Sequence, residues 1–361
     1  MKKITVLLIA LLMLGLATEA QAAWPKGTSY HTIRRFQTSI HVVKVHLNKR
    51  SIRSLPSGPK FPLMSGGGTV PQLGQRYNAP IAINGDFKMK VSGVVSQPKH
   101  AWVMNRTIET SGVGHGGASI VLSDKTNTAH IGPTSLYITM RDDTGRYFDV
   151  DRVNQGHAGL SVFTPRGGWT QQPVDGRCYA RLLQKGGWHW TDDGKAQRTY
   201  KVGQKRCGQA LAVLNNSVVV ESSDALHLTG EVVWTQNLGM RYASQLIGGN
   251  FQVVSNGHPG IVRGSRLLGP DGNPDGRNPR TAFGVSRDGK VLYIVAVDGR
   301  LHNQAGVTYG QLARVMKRIG SWDAFNLDGG GGTLLWKRGS GTLSNPSEPT
   351  PRPAMVGVGV F

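Results

Sequence analysis

Asp328 ends a short apolar run, Phe325-Asn326-Leu327, and opens a run of four glycines, Gly329-Gly330-Gly331-Gly332, that leads into Thr333. A carboxylate at a strand end can serve as base, nucleophile or metal ligand, and consecutive glycines let backbone N–H groups approach an anion unobstructed. The same nine residues read equally as a Gly-rich hairpin loop between Ala324–Leu327 and Thr333–Trp336. Two further acids sit in similar settings, Asp298 in Val297-Asp298-Gly299-Arg300 and Asp86 in Ile83-Asn84-Gly85-Asp86-Phe87. Arg280 and Arg300 supply cations for an anionic substrate, and Asn84 and Asn326 supply amides that orient hydroxyls or an acid.

Those residues need elements that bring them together. Thr281–Ser286 and Val291–Val297 flank Arg287-Asp288-Gly289-Lys290, and Asp-Gly between two apolar runs signals a hairpin. With Asp288-Gly289 at the turn, Arg280 falls opposite Val297, one step from Asp298. Thr308 and Gln311 then form a capping box ahead of Leu312, Val315, Met316 and Ile319, which predicts a helix ending at Gly320. That helix is a crossover long enough to set Val291–Val297 and Ala324–Leu327 parallel in one sheet. Asp298 and Asp328 would then leave at the same carboxyl edge, where open α/β sheets bind ligands. A phosphate-binding P-loop is excluded, since Gly332 is followed by Thr333-Leu334 and not by Lys-Ser or Lys-Thr. The bland alternative for Arg280 with Asp298 is a surface ion pair of little energetic value.

Elsewhere short Val/Ile runs alternate with Gly, Asn and Asp clusters. Ile40–Leu47 alternates as a strand, Leu55–Gln75 reads as a loop with room for a short helix, and Ile81–Ile83 is a strand that delivers Asn84 and Asp86. Ser119–Leu122, Ser135–Met140, Leu160–Phe163, Ala210–Leu214, Val218–Val220 and Val232–Trp234 make residues 118–234 a β-rich inserted region. Gly167-Gly168-Trp169 and Gly186-Gly187-Trp188 echo each other over too few residues to make a repeat. Trp188 and Trp190 are more often core or cross-strand residues than a platform for a sugar ring. Gly264–Pro279 is a loop that delivers the chain to Arg280. The fold class expected is α+β, a strand-rich mixed sheet core with few helices.

The bulk properties place this constellation in a compartment. Met1-Lys2-Lys3, an apolar stretch from Ile4 to Leu16 and Ala20-Gln21-Ala22 read as a signal peptide cleaved after Ala22. The expected product, residues 23–361, is exported, to the periplasm or beyond, and carries no transmembrane segment. Cys178 and Cys207 are the only cysteines, and in an exported chain they suggest one disulfide, closing a loop of about 30 residues and contributing roughly 3 to 4 kcal/mol. Two thiols cannot build a Cys-rich zinc site, and the eleven histidines show no zinc-ligand spacing. No cofactor is called for, although several of the acids could together hold a divalent cation. The net charge of +21 attracts anions. Dispersed basic residues, the absence of nucleic-acid-binding motifs and export all argue against nucleic acid and for an anionic glycan, phosphodiester or headgroup surface. A basic surface that serves solubility alone is the plain alternative.

The ordered motifs Ile83-Asn84-Gly85-Asp86-Phe87, Arg280-Thr281-Ala282-Phe283-Gly284-Val285, Val297-Asp298-Gly299-Arg300, Asn326-Leu327-Asp328-Gly329-Gly330-Gly331 and the ending from Arg352-Pro353 to Val358-Gly359-Val360-Phe361 resemble the phosphodiester glycosidases. Val153-Asn154, Val162-Phe163-Thr164-Pro165-Arg166-Gly167, Leu246-Ile247-Gly248-Gly249-Asn250-Phe251 and Val307-Thr308 support the likeness. It spans about Ile40 to Phe361, so the β-rich middle belongs to the same domain. Two departures stand out: Lys88 follows Phe87 where the family carries further aromatic residues, and Gly332 replaces the first hydroxyl after the glycine run.

The resemblance implies a hydrolase that cleaves a sugar-1-phosphodiester or related anionic envelope glycan at the anomeric C–O bond. Asp328, then Asp298 and Asp86, are the candidate catalytic acids, with Arg280 beside them. Arg300 and the Gly329, Gly330 and Gly331 amides would hold the phosphate, with Asn84 and Asn326 on the sugar. The alternative function is a non-catalytic binding protein for anionic cell-envelope glycan, using the same basic crevice.

Overall fold

A computed structural model describes residues 23–58, 67–91, 95–112, 117–155, 159–165, 174–223, 225–263, 266–268 and 276–361. The signal segment, Gly167-Gly168-Trp169 and most of the Gly264–Pro279 loop lie outside the described residues. Within them the chain is strand-dominated, with α-helices at Val70–Arg76 and Tyr309–Arg318. This is the α+β class expected.

The sheet that positions the candidate site has eight strands, with Val291–Val297, Arg280–Val285 and Asp323–Asn326 side by side near its centre. Arg280–Val285 is antiparallel to both neighbours. Val291–Val297 and Asp323–Asn326 therefore run parallel to each other with one strand between them, as the crossover required. Arg280 does pair with Val297. The turn is longer than two residues: Ser286 N–H bonds to Val291 O and Gly289 N–H to Ser286 O, so Arg287–Lys290 form the loop without changing the register. Thr308 and Gln311 close the capping box, and Tyr309, Leu312, Ala313, Val315 and Met316 bury their face against Ile40, Val42, Val253 and Val295. Gly320, at φ 106, ends the helix.

Asp323–Asn326 and the strand after the glycines, Leu335–Lys337, are in different sheets. The hairpin-loop reading of Gly329–Gly332 therefore falls. The glycines instead carry the chain from the eight-stranded sheet to a five-stranded one that contains Ile81–Asn84 and Val356–Val360. Gly330–Gly332 make a single 3-10 turn at that crossing.

The middle of the chain divides differently from the 118–234 boundary expected. Ala118–Ser123 and Thr128–Pro133 join Gln245–Gly249, Trp102–Met104 and Thr107–Thr110 in a second five-stranded sheet. One face of that sheet, Ile120, Leu122, Ile131 and Ile247, packs on the core beneath the candidate site, and the other, Val121, Leu246, Val103 and Ile108, packs on the middle region. Burial on both faces explains why all six residues of Ala118–Ser123 are buried. A separate eight-stranded sheet runs from Tyr137 to Asn237. Its long hairpin, Cys178–Trp190 with Ala196–Cys207, was not foreseen. Cys178 and Cys207 face each other in its register and form the disulfide, with Cα atoms 4.0 Å apart. Ala210–Leu214 is not a strand; Leu211 instead packs as part of an irregular segment on Phe163, Tyr179 and Val219.

Candidate active site

Asp328 and Asp86 come from different sheets, and backbone bonds bring them together. Asp328 N–H donates to Gly85 O at 3.2 Å, while Asn84 Nδ2 donates to Asp328 O at 2.7 Å. The Oδ1 of Asn84 accepts from Thr281 Oγ1 at 2.8 Å and from Leu334 N at 3.1 Å. Asn84 is thus a buried clamp on three elements, and the sugar-orienting part expected of it would use groups already committed. Asn326 is fully buried, with Nδ2 donating to Leu327 O at 2.6 Å.

The two carboxylates differ in surroundings. Asp86 Oδ1 accepts from Phe87 N at 2.7 Å and lies 2.6 Å from His100 Nδ1, while Oδ2 accepts from His100 N at 2.6 Å. Asp328 has no such set of donors. Burial, reinforced by the nearby Asp86 charge and opposed by the Gly329 amide and Arg352, pushes its carboxyl up to about 7. A carboxyl with that pKa changes protonation state at neutral pH, which suits general acid–base work. His100 escaped the sequence reading, because nothing local marks a histidine fourteen residues beyond Asp86 as its partner.

Asp298 leaves the same sheet edge as Asp328, as expected, but its carboxylate is spoken for. Oδ2 lies 3.1 Å from His41 Nε2, and accepts from Gln304 Nε2 at 3.1 Å and Asn345 Nδ2 at 2.7 Å; Oδ1 accepts from Asn345 N at 2.9 Å. Asp298 therefore pins the start of the segment that carries Glu348 and Arg352. That pair is joined twice, with Arg352 Nε donating to Glu348 Oε2 at 2.7 Å. It lies against the glycine run, since a Cβ at Gly331 would collide with the Glu348 carboxylate and stand 2.7 Å from Arg352 Nε. Arg352 was visible only as part of the terminal motif, with no role attached.

The other cations divide. Arg280 is buried, its guanidinium 3.8 Å from the Tyr309 ring centroid, and donates to Val307 O and Gly276 O, each at 3.3 Å. Arg300 is exposed, donates twice to Asn278 Oδ1 at 3.0 and 2.9 Å, and would stand 3.2 Å from a Cβ on Gly330. Of the glycine amides, Gly330 N donates to Pro279 O at 2.9 Å and Gly329 N faces Asp328. Gly331 N is the amide of the expected three with no acceptor found for it among the described residues. No three His, Cys, Asp or Glu side chains among the described residues converge as a metal site. Gly331, Arg300 and Arg352 thus line the glycine run beside a titrating carboxyl, with the Glu348 carboxylate seated against Gly331 and on Arg352.

Residues 193–361 match the phosphodiester glycosidase family. Asp298, Asp328, both candidate arginines and Arg352 lie in that stretch, while Asp86 and His100 come from before it. No curated protein sequence matches the chain. Among solved structures, a hypothetical protein from Synechocystis is 18% identical with a TM-score of 0.67, covering 94% of this chain. The match takes in 62% of the Synechocystis protein's own length. A protein of Burkholderia pseudomallei described as exported is 19% identical with a TM-score of 0.63, over 90% of this chain and 74% of its own. Both show a shared fold. The catalytic domain of zebrafish N-acetylglucosamine-1-phosphodiester alpha-N-acetylglucosaminidase, auto-inhibited by its pro-peptide, is 16% identical over 92% of this chain and 82% of its own. Its TM-score of 0.44 is too low a likeness to carry an argument about the site.

Proposed function

A phosphodiester glycosidase domain occupies residues 193–361, and from that premise we propose that the chain is an exported hydrolase that cleaves a sugar-1-phosphodiester at the anomeric C–O bond. The observation that carries this reading is the pairing of Asp328, raised to about 7 by burial and by Asp86, with a run of glycines flanked by Arg300 and Arg352. A phosphate ester is a good leaving group, so stabilising the departing anion matters more than protonating it. Gly331 N, Arg300 and Arg352 hold the phosphate, which takes the place of the Glu348 carboxylate on Arg352 and against Gly331. Asp328 takes the proton from the attacking water, whose oxygen bonds to the anomeric carbon as the carbon–oxygen bond to phosphate breaks. The electron pair leaves with the phosphate monoester. Asp86, oriented by the His100 amide and ring, faces the positive charge that develops on the sugar.

Arg280 holds the loop around Gly276 and Val307 in place, and Asp298 holds the segment bearing Arg352. The strongly basic composition fits substrates from an anionic envelope or exopolysaccharide glycan.

The test is turnover of a panel of sugar-1-phosphodiesters in heavy-oxygen water. Label in the released sugar supports cleavage at carbon, whereas label in the phosphate would make the protein a phosphodiesterase. Binding without release of either product would make it a glycan-binding protein.

A further inference from the structure

A second cleft lies in the middle region, where the Thr107–Thr110 strand meets the long disulfide-bearing hairpin and its neighbours. Its volume is about 340 Å³, and its lining includes Thr107, Glu109, Trp188, Arg198, Asn215 and Trp234. That volume falls in the roughly 300–1,000 Å³ range of small-ligand pockets. None of these residues takes part in the Asp328 chemistry.

The wall is built in two parts. The aromatic part is a fixed cluster, with Trp188 edge-on to Trp234 at 6.5 Å and Tyr200 tilted against Trp234 at 6.2 Å. Trp188 is held by its indole, which donates to Thr107 Oγ1 at 3.2 Å, and the ring remains only partly buried. The polar part mixes donors and acceptors. Arg198 lies 4.8 Å over the Trp188 ring and donates from Nη1 to Gln184 Oε1 at 3.3 Å. Its Nε and the indole nitrogen of Trp234 are buried with no hydrogen-bond partner among the described residues. The side-chain amides of Gln184 and Asn215 add donors and acceptors to the same lining.

This mixture selects among ligands. An apolar molecule would cover the Arg198 guanidinium without offering it an acceptor, which disfavours such a ligand. A bare phosphate would leave the aromatic wall unused. A pyranose ring has an apolar C–H face for an indole and a rim of hydroxyls that donate and accept, which answers both parts of the wall. We propose that this cleft is a carbohydrate-binding subsite for one or two pyranose units, with Trp188 as the stacking platform and Arg198 and Asn215 on the hydroxyl rim. It goes beyond the hydrolytic reading and stands without it.

Titration calorimetry with chitobiose, cellobiose and digalacturonate, with tryptophan fluorescence in parallel, tests the proposal on the whole chain. At least one of the three binds saturably at millimolar concentration, Trp188→Ala weakens that binding about tenfold or more, and Asp328→Asn leaves it unchanged. Arg198→Gln weakens it about threefold or more, most for digalacturonate if the bound sugar is acidic. Absence of binding by all three, unchanged affinity in Trp188→Ala, or loss of affinity in Asp328→Asn overturns the proposal. Should Trp188→Ala fail to fold by circular dichroism, Arg198→Gln decides, and its having no effect overturns the proposal equally.

Discussion

Asp298 and Asp328 stand at the ends of two parallel strands of one sheet, one strand apart, each followed by glycine. Asp298 is 1% exposed and has both carboxylate oxygens engaged, by His41, Gln304 and Asn345. Asp328 is half-buried, short of donors and next to another carboxylate. The strand end delivers an acid to the crevice, but its partners decide whether that acid is a fixed brace or a group that exchanges protons. A carboxylate gripped by several donors is fixed in place, whereas a desolvated one near a like charge is poised to titrate.

The largest expected effect separates the two acids by activity. Asp328→Asn keeps the shape and removes the proton acceptor, so turnover of a sugar-1-phosphodiester falls by about 10²–10⁴ while substrate binding persists. Asp298→Asn retains most of its hydrogen-bonding shape, and its turnover stays within about tenfold of the wild type. Equal losses in the two variants, measured as kcat/KM, would erase the distinction between brace and base.

Stability should order them the other way. Asp298→Ala strands donors from His41, Gln304 and Asn345 in the interior, and urea unfolding at pH 7 should show a loss of about 3 kcal/mol. Asp328→Asn should stabilise instead, with a particular pH dependence. The folded carboxyl titrates near 7 and the unfolded one near its ordinary value of 3.8, so the folded state holds the proton more tightly between those values. The wild type therefore loses stability as pH rises from about 4 to 7, and the penalty is fully present above that. Denaturation curves of wild type and Asp328→Asn should coincide near pH 3.5 and separate in favour of the variant by pH 8.

The common setting of the two acids was legible in the sequence. Arg280 opposite Val297, the crossover helix from Thr308 and the shared edge of Asp298 and Asp328 all follow from local patterns, since apolar alternation, a capping box and a turn dipeptide act over a few residues. What distinguishes the two acids was not, because it is set by contacts distant in the chain. His41 and Asn345 reach Asp298 from 257 and 47 residues away. Asp86 meets Asp328 only because Gly85 and Asn84 bond to its backbone across two sheets. Arg352 is placed by a chain segment that Asp298 anchors, so its approach to Gly331 has no local signature. The long hairpin from Cys178 to Cys207 was missed for a related reason: each of its strands passes from buried to exposed residues without sustained alternation, and cross-strand pairing with the disulfide holds them.

The pH profile of turnover sharpens the role of Asp328 itself. A base must be ionised, so kcat/KM should rise as pH increases through about 7. Asp86→Asn removes one of the two influences that raise the Asp328 pKa, burial being the larger, and should move the rise to lower pH. A profile that instead falls through neutrality would assign Asp328 as the general acid.

The smallest expected effect concerns Gly332, where the resembling family carries a hydroxyl. A Cβ at this position would stand 2.8 Å from Asp328 Oδ2, closer than real Cβ contacts come, so the carboxylate leans into space that glycine leaves open. A serine forces the carboxylate aside and offers it a hydroxyl donor, and a hydrogen bond to the ionised form lowers a carboxyl's pKa. Gly332→Ser should therefore shift the turnover profile toward lower pH and change the rate at pH 8 by only a few-fold, because the ionised base remains available there. An unshifted profile would mean that the Asp328 carboxylate does not feel position 332, and that the missing hydroxyl bears on substrate contacts alone.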